Sequence, residues 1–217
     1  MGITERRVRE KEQRRSDIID AAEKVFFSRG VHQSTMDDVA MEAELSKGTL
    51  YLYFKSKEDL HFAISMRGMD VLSEKLQQAY DISKTGAENA LEIGKAYIGF
   101  SKQYRNYFDS FLEFEASTLE TVDPLQKEKI FGDGSPLMVF VHVIEKGQKD
   151  GSIRDDIPSR ELAVILWSQL TGLLQFARNK LELVDLLGYN KDDLLMDHFR
   201  IIQDGIIRGK KVVTRRV

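Results

Sequence analysis

One short stretch, LSKGTLYLYFKSKEDL from Leu45 to Leu60, concentrates the residues that could do chemistry. Between Leu45 and Lys57 it holds three lysines, two tyrosines, a glycine and no acid, in a chain with a formal net charge of -3. Ammonium groups bind phosphates, and a phenol offers both a flat apolar ring and a hydroxyl donor. That is the chemistry of recognition rather than of bond breaking. Catalytic patterns are thin. The histidines His32, His61, His142 and His198 are scattered, and Glu58-x-x-His61 supplies only half of a di-iron carboxylate site, which needs a second such pair and two further glutamates. No Gly-x-Ser-x-Gly, His-Glu-x-x-His or phosphate-loop pattern occurs. The chain has no cysteine, which excludes disulfides, thiolate metal sites and thiol nucleophiles. No catalytic residue, metal ion or cofactor is expected.

Charge is local. Arg6, Arg7, Arg9, Lys11, Arg14 and Arg15 outweigh Glu5, Glu10 and Glu12 near the start, Lys47, Lys55 and Lys57 form a second patch, and Arg208, Lys210, Lys211, Arg215 and Arg216 a third. Each patch taken singly reads equally as a solvated face or a frayed end. A length of 217 residues with 42% hydrophobic content suits one large domain, or a small and a medium one, with a real core. No apolar run reaches the ~18 residues of a membrane span, and no apolar segment follows the charged N-terminus, so a cytoplasmic protein without membrane or signal segments is expected.

Those side chains need helices to hold them. Ile18, Ala22, Val25 and Phe26 repeat on one helical face, and Gly30 is placed to end that helix. Thr35 with Asp38 reads as a capping box before a two-turn helix bearing Met36, Val39, Ala40 and Ala43. Ser46 caps a short third helix over 46–53, with Leu50 and Phe54 turned inward, and Ser56 with Asp59 opens a long helix to about Ser83. Two short helices joined by a tight turn and backed by a third make a helix-turn-helix unit. Further on, Thr85 with Glu88 caps a helix to Gln103, Asn106 starts an aromatic one, and Asp123-Pro124 and Ser135-Pro136 each open another. Asp150-Gly151 marks a turn, Ser159 caps a helix to about Leu187 closed by Gly188, and Asn190 with Asp193 caps the last, to about Gly209. No strand pattern, repeat or low-complexity segment is evident.

With Leu50 and Phe54 buried, Lys47, Gly48, Thr49, Tyr51, Leu52 and Tyr53 are left around the rest of the third helix. Gly48 lowers helix stability by ~1 kcal/mol relative to alanine, and its missing side chain permits close approach. Lys57 beside the free amides of the next helix makes an anion site. The spacing suits a recognition helix in the major groove of double-stranded DNA, clamped at both ends on phosphates. Tyr53 reads alternatively as a half-buried core tyrosine, and the whole hairpin alternatively as a surface for another protein.

At these residues the stretch SRGVHQSTMDDVAMEAELSKGTLYLYFKSKEDL resembles the DNA-binding segment of the tetracycline-repressor (TetR) family of bacterial transcription regulators. The matching elements are the Gly30 turn, Thr35, Val39-Ala40, Leu45-Ser46, Gly48-Thr49-Leu50-Tyr51-x-Tyr53-Phe54 and Lys57, over about residues 17 to 62. The resemblance implies an all-α subunit, with a three-helix DNA-binding domain over residues 1–60 and a larger helical effector-binding and dimerisation domain over 61–217. It implies a homodimer on a palindromic operator, released by a small molecule. Lys47, Gly48, Thr49 and Leu52 would face base edges, while Thr35, Tyr51, Tyr53 and Lys57 hold phosphates and Ser46 joins the DNA-facing set. One departure is Asp37 with Asp38, where some members carry a basic residue; base reading would then rest on the third helix alone. The basic N-terminal arm would add minor-groove or backbone contacts.

In the second half, Tyr104, Phe111, Glu115, Phe140, His142, Trp167 and Leu170, with Phe62 and Met66, are candidates to line a largely apolar effector cavity. Ordinary core packing is the alternative for each. Glu115, a carboxylate among aromatics, would face water or hold a polar or cationic ligand. The fourth helix, shared by both halves, would transmit ligand binding to the DNA-binding end. Leu162, Ile165, Leu166, Leu170, Leu173 and Leu174 make the penultimate helix apolar on more than one side, which suits a four-helix bundle between two subunits.

Overall fold

The computed structural model describes residues 2–112, 124–179, 186–188 and 190–207. These form α1 (Ile3–Arg29), α2 (Met36–Glu42), α3 (Lys47–Tyr51), α4 (Lys57–Ala79), α5 (Gly86–Gln103), α6 (Arg105–Leu112), α7 (Pro124–Phe131), α8 (Pro136–Asp150), α9 (Ser159–Asn179) and α10 (Lys191–Ile206). The fold is all-α. Two compact units divide it: α1 to α3 with α6 and α4 as far as Met69, and α4 from Asp70 with α5 and α7 to α10.

The first unit is assembled from local signals. Ile18, Ala22, Val25 and Phe26 of α1 are buried with Val39, Ala40, Leu50, Phe54, Leu60 and Ile64 in one apolar cluster. Burying each large side chain contributes about 1.5–3 kcal/mol. Gly30, at φ 82, ends α1 by donating its N–H to the Phe26 carbonyl at 2.8 Å. Thr35 and Asp38 form the reciprocal capping box of α2: the Asp38 N–H donates to Thr35 Oγ1, and the Thr35 N–H donates to Asp38 Oδ2. Its hydrogen bonds to Thr35, above all the hydroxyl's, with Arg29 nearby, hold the Asp38 carboxyl below the usual carboxylate range.

The α2–α3 turn has the double hydrogen bond of a Schellman closure, Leu45 N–H to Ala40 O at 2.9 Å and Glu44 N–H to Met41 O at 3.2 Å. Glu44 occupies the left-handed position, at φ 53, where glycine or asparagine is usual. A side chain there costs roughly 1–2 kcal/mol, partly offset by its stiffening of the unfolded chain. Glu44→Gly is therefore expected to raise unfolding stability by about 0.5–1 kcal/mol, read from urea midpoints; a lower midpoint would show that the Glu44 side chain has a stabilising role.

α1, α4 and α6 meet at a polar cluster. Arg67 donates to Asp20 at 2.6 Å, Glu23 at 3.0 Å and the Ser16 hydroxyl at 3.1 Å, and the Tyr107 hydroxyl donates to Glu23 at 2.8 Å. Burial, then the Glu23 carboxylate accepting its proton, push the Tyr107 phenol up to about 12. Because this value is raised on folding, the protonated phenol's stabilisation is complete below the ordinary tyrosine value near 10 and is lost as pH rises through about 12. Alkaline difference absorbance should show a late tyrosinate step that disappears in Tyr107→Phe. A wild-type and variant titration that superimpose would exclude this assignment.

In the second unit α5 and α8 cross backbone to backbone. A Cβ added to Gly86 would sit 2.1 Å from the Gly147 nitrogen, so only glycine fits the crossing. The Asp150 carboxylate accepts from the Gly86 N–H at 2.8 Å and Ser152 Oγ from the Ala87 N–H at 3.0 Å, capping α5. The buried Asn89 amide bonds Asp81 O, Lys84 O and Thr85 O and accepts from the Asp81 N–H.

Several boundaries differ from expectation. α4 ends at Ala79, not near Ser83, because Asn89 takes the Asp81 backbone groups into the loop. α3 is shorter than 46–53. Asn190 caps through the Asp192 N–H, and α10 stops at Ile206, where Ile207 pairs with Ile153 in an isolated bridge and the Arg154 N–H donates to Ile206 O. The N-terminus is no loose arm: α1 is helical from Ile3. Asp123, Glu115, residues 180–185 of the helix expected to reach about Leu187 and the basic tail from Arg208 lie outside the described residues. No described helix is long and apolar enough to cross a membrane.

Candidate nucleic-acid interface

α3 is a five-residue helix seated by Leu50 and, just beyond its end, Phe54, both buried. Ser46 caps it, Oγ accepting the Thr49 N–H at 3.1 Å and lying 2.8 Å from the Thr49 hydroxyl. The remaining faces are open. Leu52 is 81% exposed, an unusual position for a large apolar side chain, and Tyr51 and Lys47 are exposed beside it. The Cβ position of Gly48 meets nothing nearer than Ser46 Oγ at 4.0 Å. Packing within the chain does not demand glycine there, and helix propensity disfavours it.

The structure shows Asp37 in a role that its place in the sequence does not suggest. Its carboxylate lies 2.7 Å from Lys47 Nζ, and the hydrogen bond and charge of that pair hold the lysine above its ordinary value. Both groups are exposed, so the pair is solvent-screened and exchangeable. Asp37 thus neutralises Lys47 in the single chain, and the lysine must leave it to pair with any other group. Thr35 donates its hydroxyl to Asp38 at 2.7 Å and is committed to the cap. Lys57 Nζ donates to Ser34 O at 3.2 Å, and the adjacent α4 start is partly filled from within, Asp59 Oδ2 accepting the Lys55 N–H at 3.0 Å. Tyr53 is half-buried and packs against the core. Met41 of α2, 71% exposed, is not legible in sequence because it follows the buried Val39 and Ala40 without any pattern of its own.

A second feature continues α1. Arg7, Lys11 and Arg14 fall at the i, i+4, i+7 positions that lead into the buried Ile18, Ala22 and Val25, so the core stripe runs on toward the N-terminus as a cationic stripe. Residues 4–15 are exposed throughout. Arg6 is paired to Glu10, whereas Arg7, Lys11 and Arg14 make no ion pair among the described residues. Arg15 places its guanidinium 4.8 Å from the Phe54 ring centre, which puts the stripe on the same flank as the end of α3.

The candidates for effector binding divide between the units. Phe62 and Met66 are buried, Phe111 half-buried and Tyr104 stacked on Tyr107 in the first. In the second, Phe140 stacks on Trp167 with ring centres 5.4 Å apart, and the Trp167 indole N–H donates to Tyr97 at 3.1 Å. Burial raises the Tyr97 phenol, against hydrogen bonds to Thr171 and Trp167. Phe140 and Leu170 line an apolar cavity of about 50 Å³ walled by α5, α8, α9 and α10. His142 is exposed and lines a separate open hollow with Tyr80 and Asp133. The cavity residues of α10, among them His198, Ile202 and Ile206, are not among the expected effector contacts. Their i, i+4, i+8 spacing is visible in sequence but reads equally as a face for subunit contact.

A family profile described as bacterial regulatory proteins, tetR family, matches residues 18–64. The helix-turn-helix transcriptional regulator YhgD of Bacillus subtilis is 31% identical over 154 residues, covering 70% of this chain and 78% of that protein. The fatty acid metabolism regulator protein of the same organism is 28% identical over 154 residues, covering 70% and 77%. Among solved structures, the fatty acid degradation regulator FadR of Bacillus halodurans superposes with a TM-score of 0.65 at 18% identity over 87% of this chain and 94% of its own, which is a likeness of fold. The chain belongs to the TetR family of bacterial transcriptional regulators, DNA-binding proteins and not enzymes.

Proposed function

We propose that this regulator binds a palindromic operator as a homodimer in the cytoplasm, with α3 in the major groove, and that a small apolar molecule bound in the second unit releases it, making it a repressor. The observation that carries the reading is the surface of α3. Gly48, Leu52 and Tyr51, with Lys47 held only by an exposed pair to Asp37, are open around a helix anchored from behind by Leu50 and Phe54, an arrangement suited to an approaching partner. Lys47, Thr49 and Leu52 read base edges with Gly48 allowing approach, and Ser46, Tyr51, Tyr53, Lys57 and Thr35 contact or brace the phosphate side.

Dimerisation is supported by exposed apolar side chains on the last two helices. Val164, Ile165 and Phe176 on α9 and Met196 and Ile201 on α10 face solvent in the single chain, Ile201 at 70%. Paired across a two-fold axis they would be covered, and the two α3 helices would then meet half-sites ~34–36 Å apart. Selection of bound duplexes from a random pool tests the whole reading. A palindrome with that spacing is the expected product, and a failure to enrich any sequence at low salt would dismiss it.

The cationic stripe refines the expected N-terminal contact. A helix ~10–12 Å across does not enter a minor groove ~6 Å wide, so Arg7, Lys11 and Arg14 contact phosphates from outside and read no bases. Replacing all three by glutamine is expected to flatten the dependence of log affinity on log salt by ~2–3 per DNA-bound chain, at ~0.9 for each phosphate left without its cation, and to leave the preferred sequence unchanged. An unaltered slope would remove the stripe from the interface.

A further inference from the structure

We propose that the cavity between α5, α8, α9 and α10 takes a small uncharged ligand, an alkyl group or ring ending in a hydroxyl or carbonyl, and that its occupancy is read directly at the paired faces of α9 and α10. This rests on the effector reading above and gives it a chemical class and a route.

The class follows from the lining. Apolar side chains such as Phe140, Ile144, Leu166 and Leu170 make most of the wall, and among the described residues no aspartate, glutamate, lysine or arginine lines it. An ion taken inside would lose its hydration with no counter-charge to replace it. The polar side chains on the wall are His198 and Gln203. Burial holds His198 below its ordinary value, so at neutral pH it is an uncharged imidazole with one donor and one acceptor. Gln203 is exposed, with an amide that also donates and accepts. Among the described residues neither side chain has a hydrogen-bond partner, so both are available to a hydroxyl. At about 50 Å³ the space is smaller than the roughly 150 Å³ that takes up a benzene ring, so a ligand of this class must move the walls as it enters.

The route follows from which helices form the walls. Leu166 and Leu170 line the cavity from α9, while Val164, Ile165 and Phe176 of the same helix are exposed. His198, Ile202 and Ile206 line it from α10, while Met196 and Ile201 are exposed. No residue of α4 lines it. A ligand that moves these walls therefore moves the dimer surface first, rather than acting through the shared fourth helix.

Trp167 is the chain's single tryptophan, and it stacks on the cavity residue Phe140, so its emission reports occupancy. The experiment titrates the full chain with 1-hexanol, hexanoate and hexylammonium, and with the C4 to C8 alcohols, while dimer dissociation is followed by sedimentation. Saturable binding of hexanol at least ~10-fold tighter than either ion is expected, tightening ~3–4-fold per added methylene until the space is full. Ala90→Phe, which fills the cavity from α5, should abolish it, and Ile202→Phe serves if circular dichroism shows that variant unfolded. Hexanol should also shift the dimer dissociation constant several-fold in wild type and not in the filled variant. An ion that binds as well as the alcohol overturns the ligand class, and binding that survives the filled cavity overturns the site. Saturation with an unmoved dimer constant overturns the route. A chain that enriches a palindrome yet ignores hexanol loses this inference alone, whereas one that binds hexanol and enriches no duplex loses the operator reading instead.

Discussion

Ile165→Glu combined with Phe176→Glu is expected to yield a folded monomer whose operator affinity is lower by about 10²–10⁴-fold. Ile165 and Phe176 are 43% and 46% exposed on α9, so the substitutions remove little packing of the single chain and should leave its helical content intact. In a two-fold pair they would place like charges in the most apolar part of the interface, where an uncompensated carboxylate is costly. In the proposed dimer the two α3 helices would make the second half-site encounter intramolecular, and a monomer would forfeit that effective concentration while keeping its own α3 surface. Sedimentation at several concentrations together with a DNA titration checks both halves. A variant that still dimerises like wild type would move the interface away from α9.

Gly48→Leu is expected to make the protein more stable and bind worse. Leucine is the better helix former by close to ~1 kcal/mol, and the Cβ direction is open, so the folded chain accommodates the new side chain. If α3 approaches base edges as proposed, the same side chain would hold the groove away. A loss of about 100-fold or more in operator affinity, equivalent to about 2.7 kcal/mol, with an unchanged or raised melting temperature, is the expected pair of results. Opposite signs for the two measurements distinguish a contact surface from a damaged fold. Full affinity in this variant would assign DNA contact to some other surface.

These expectations divide between what is readable along the chain and what is not. The fold class, the α1 to α3 order and their caps are legible because they rest on hydrogen bonds between residues three or four apart. Thr35 with Asp38, Ser46 with Thr49 and Gly30 after Phe26 specify their own local geometry. Buried positions such as Ile18, Val39 and Leu50 follow from periodicity, since a helix can bury one stripe only by presenting it every three to four residues.

Other features required the assembled structure. Asp37 reads in sequence as a repulsive neighbour of phosphate, and only the fold brings Lys47, ten residues on, against it. Glu44 in a left-handed conformation runs against its residue type, and the turn imposes it because the Ala40 and Met41 carbonyls must be satisfied. The Gly86–Gly147 crossing, the Arg67 cluster and the cavity shared by Phe140, Leu170 and His198 join residues far apart in the chain. The sequence alone determined which helices exist, where most of them start and that the short α3 carries lysine, tyrosine and glycine around a buried Leu50. Which helices enclose a cavity was decided only by tertiary packing, because a void belongs to the fit between surfaces and no single helix's periodicity encodes it.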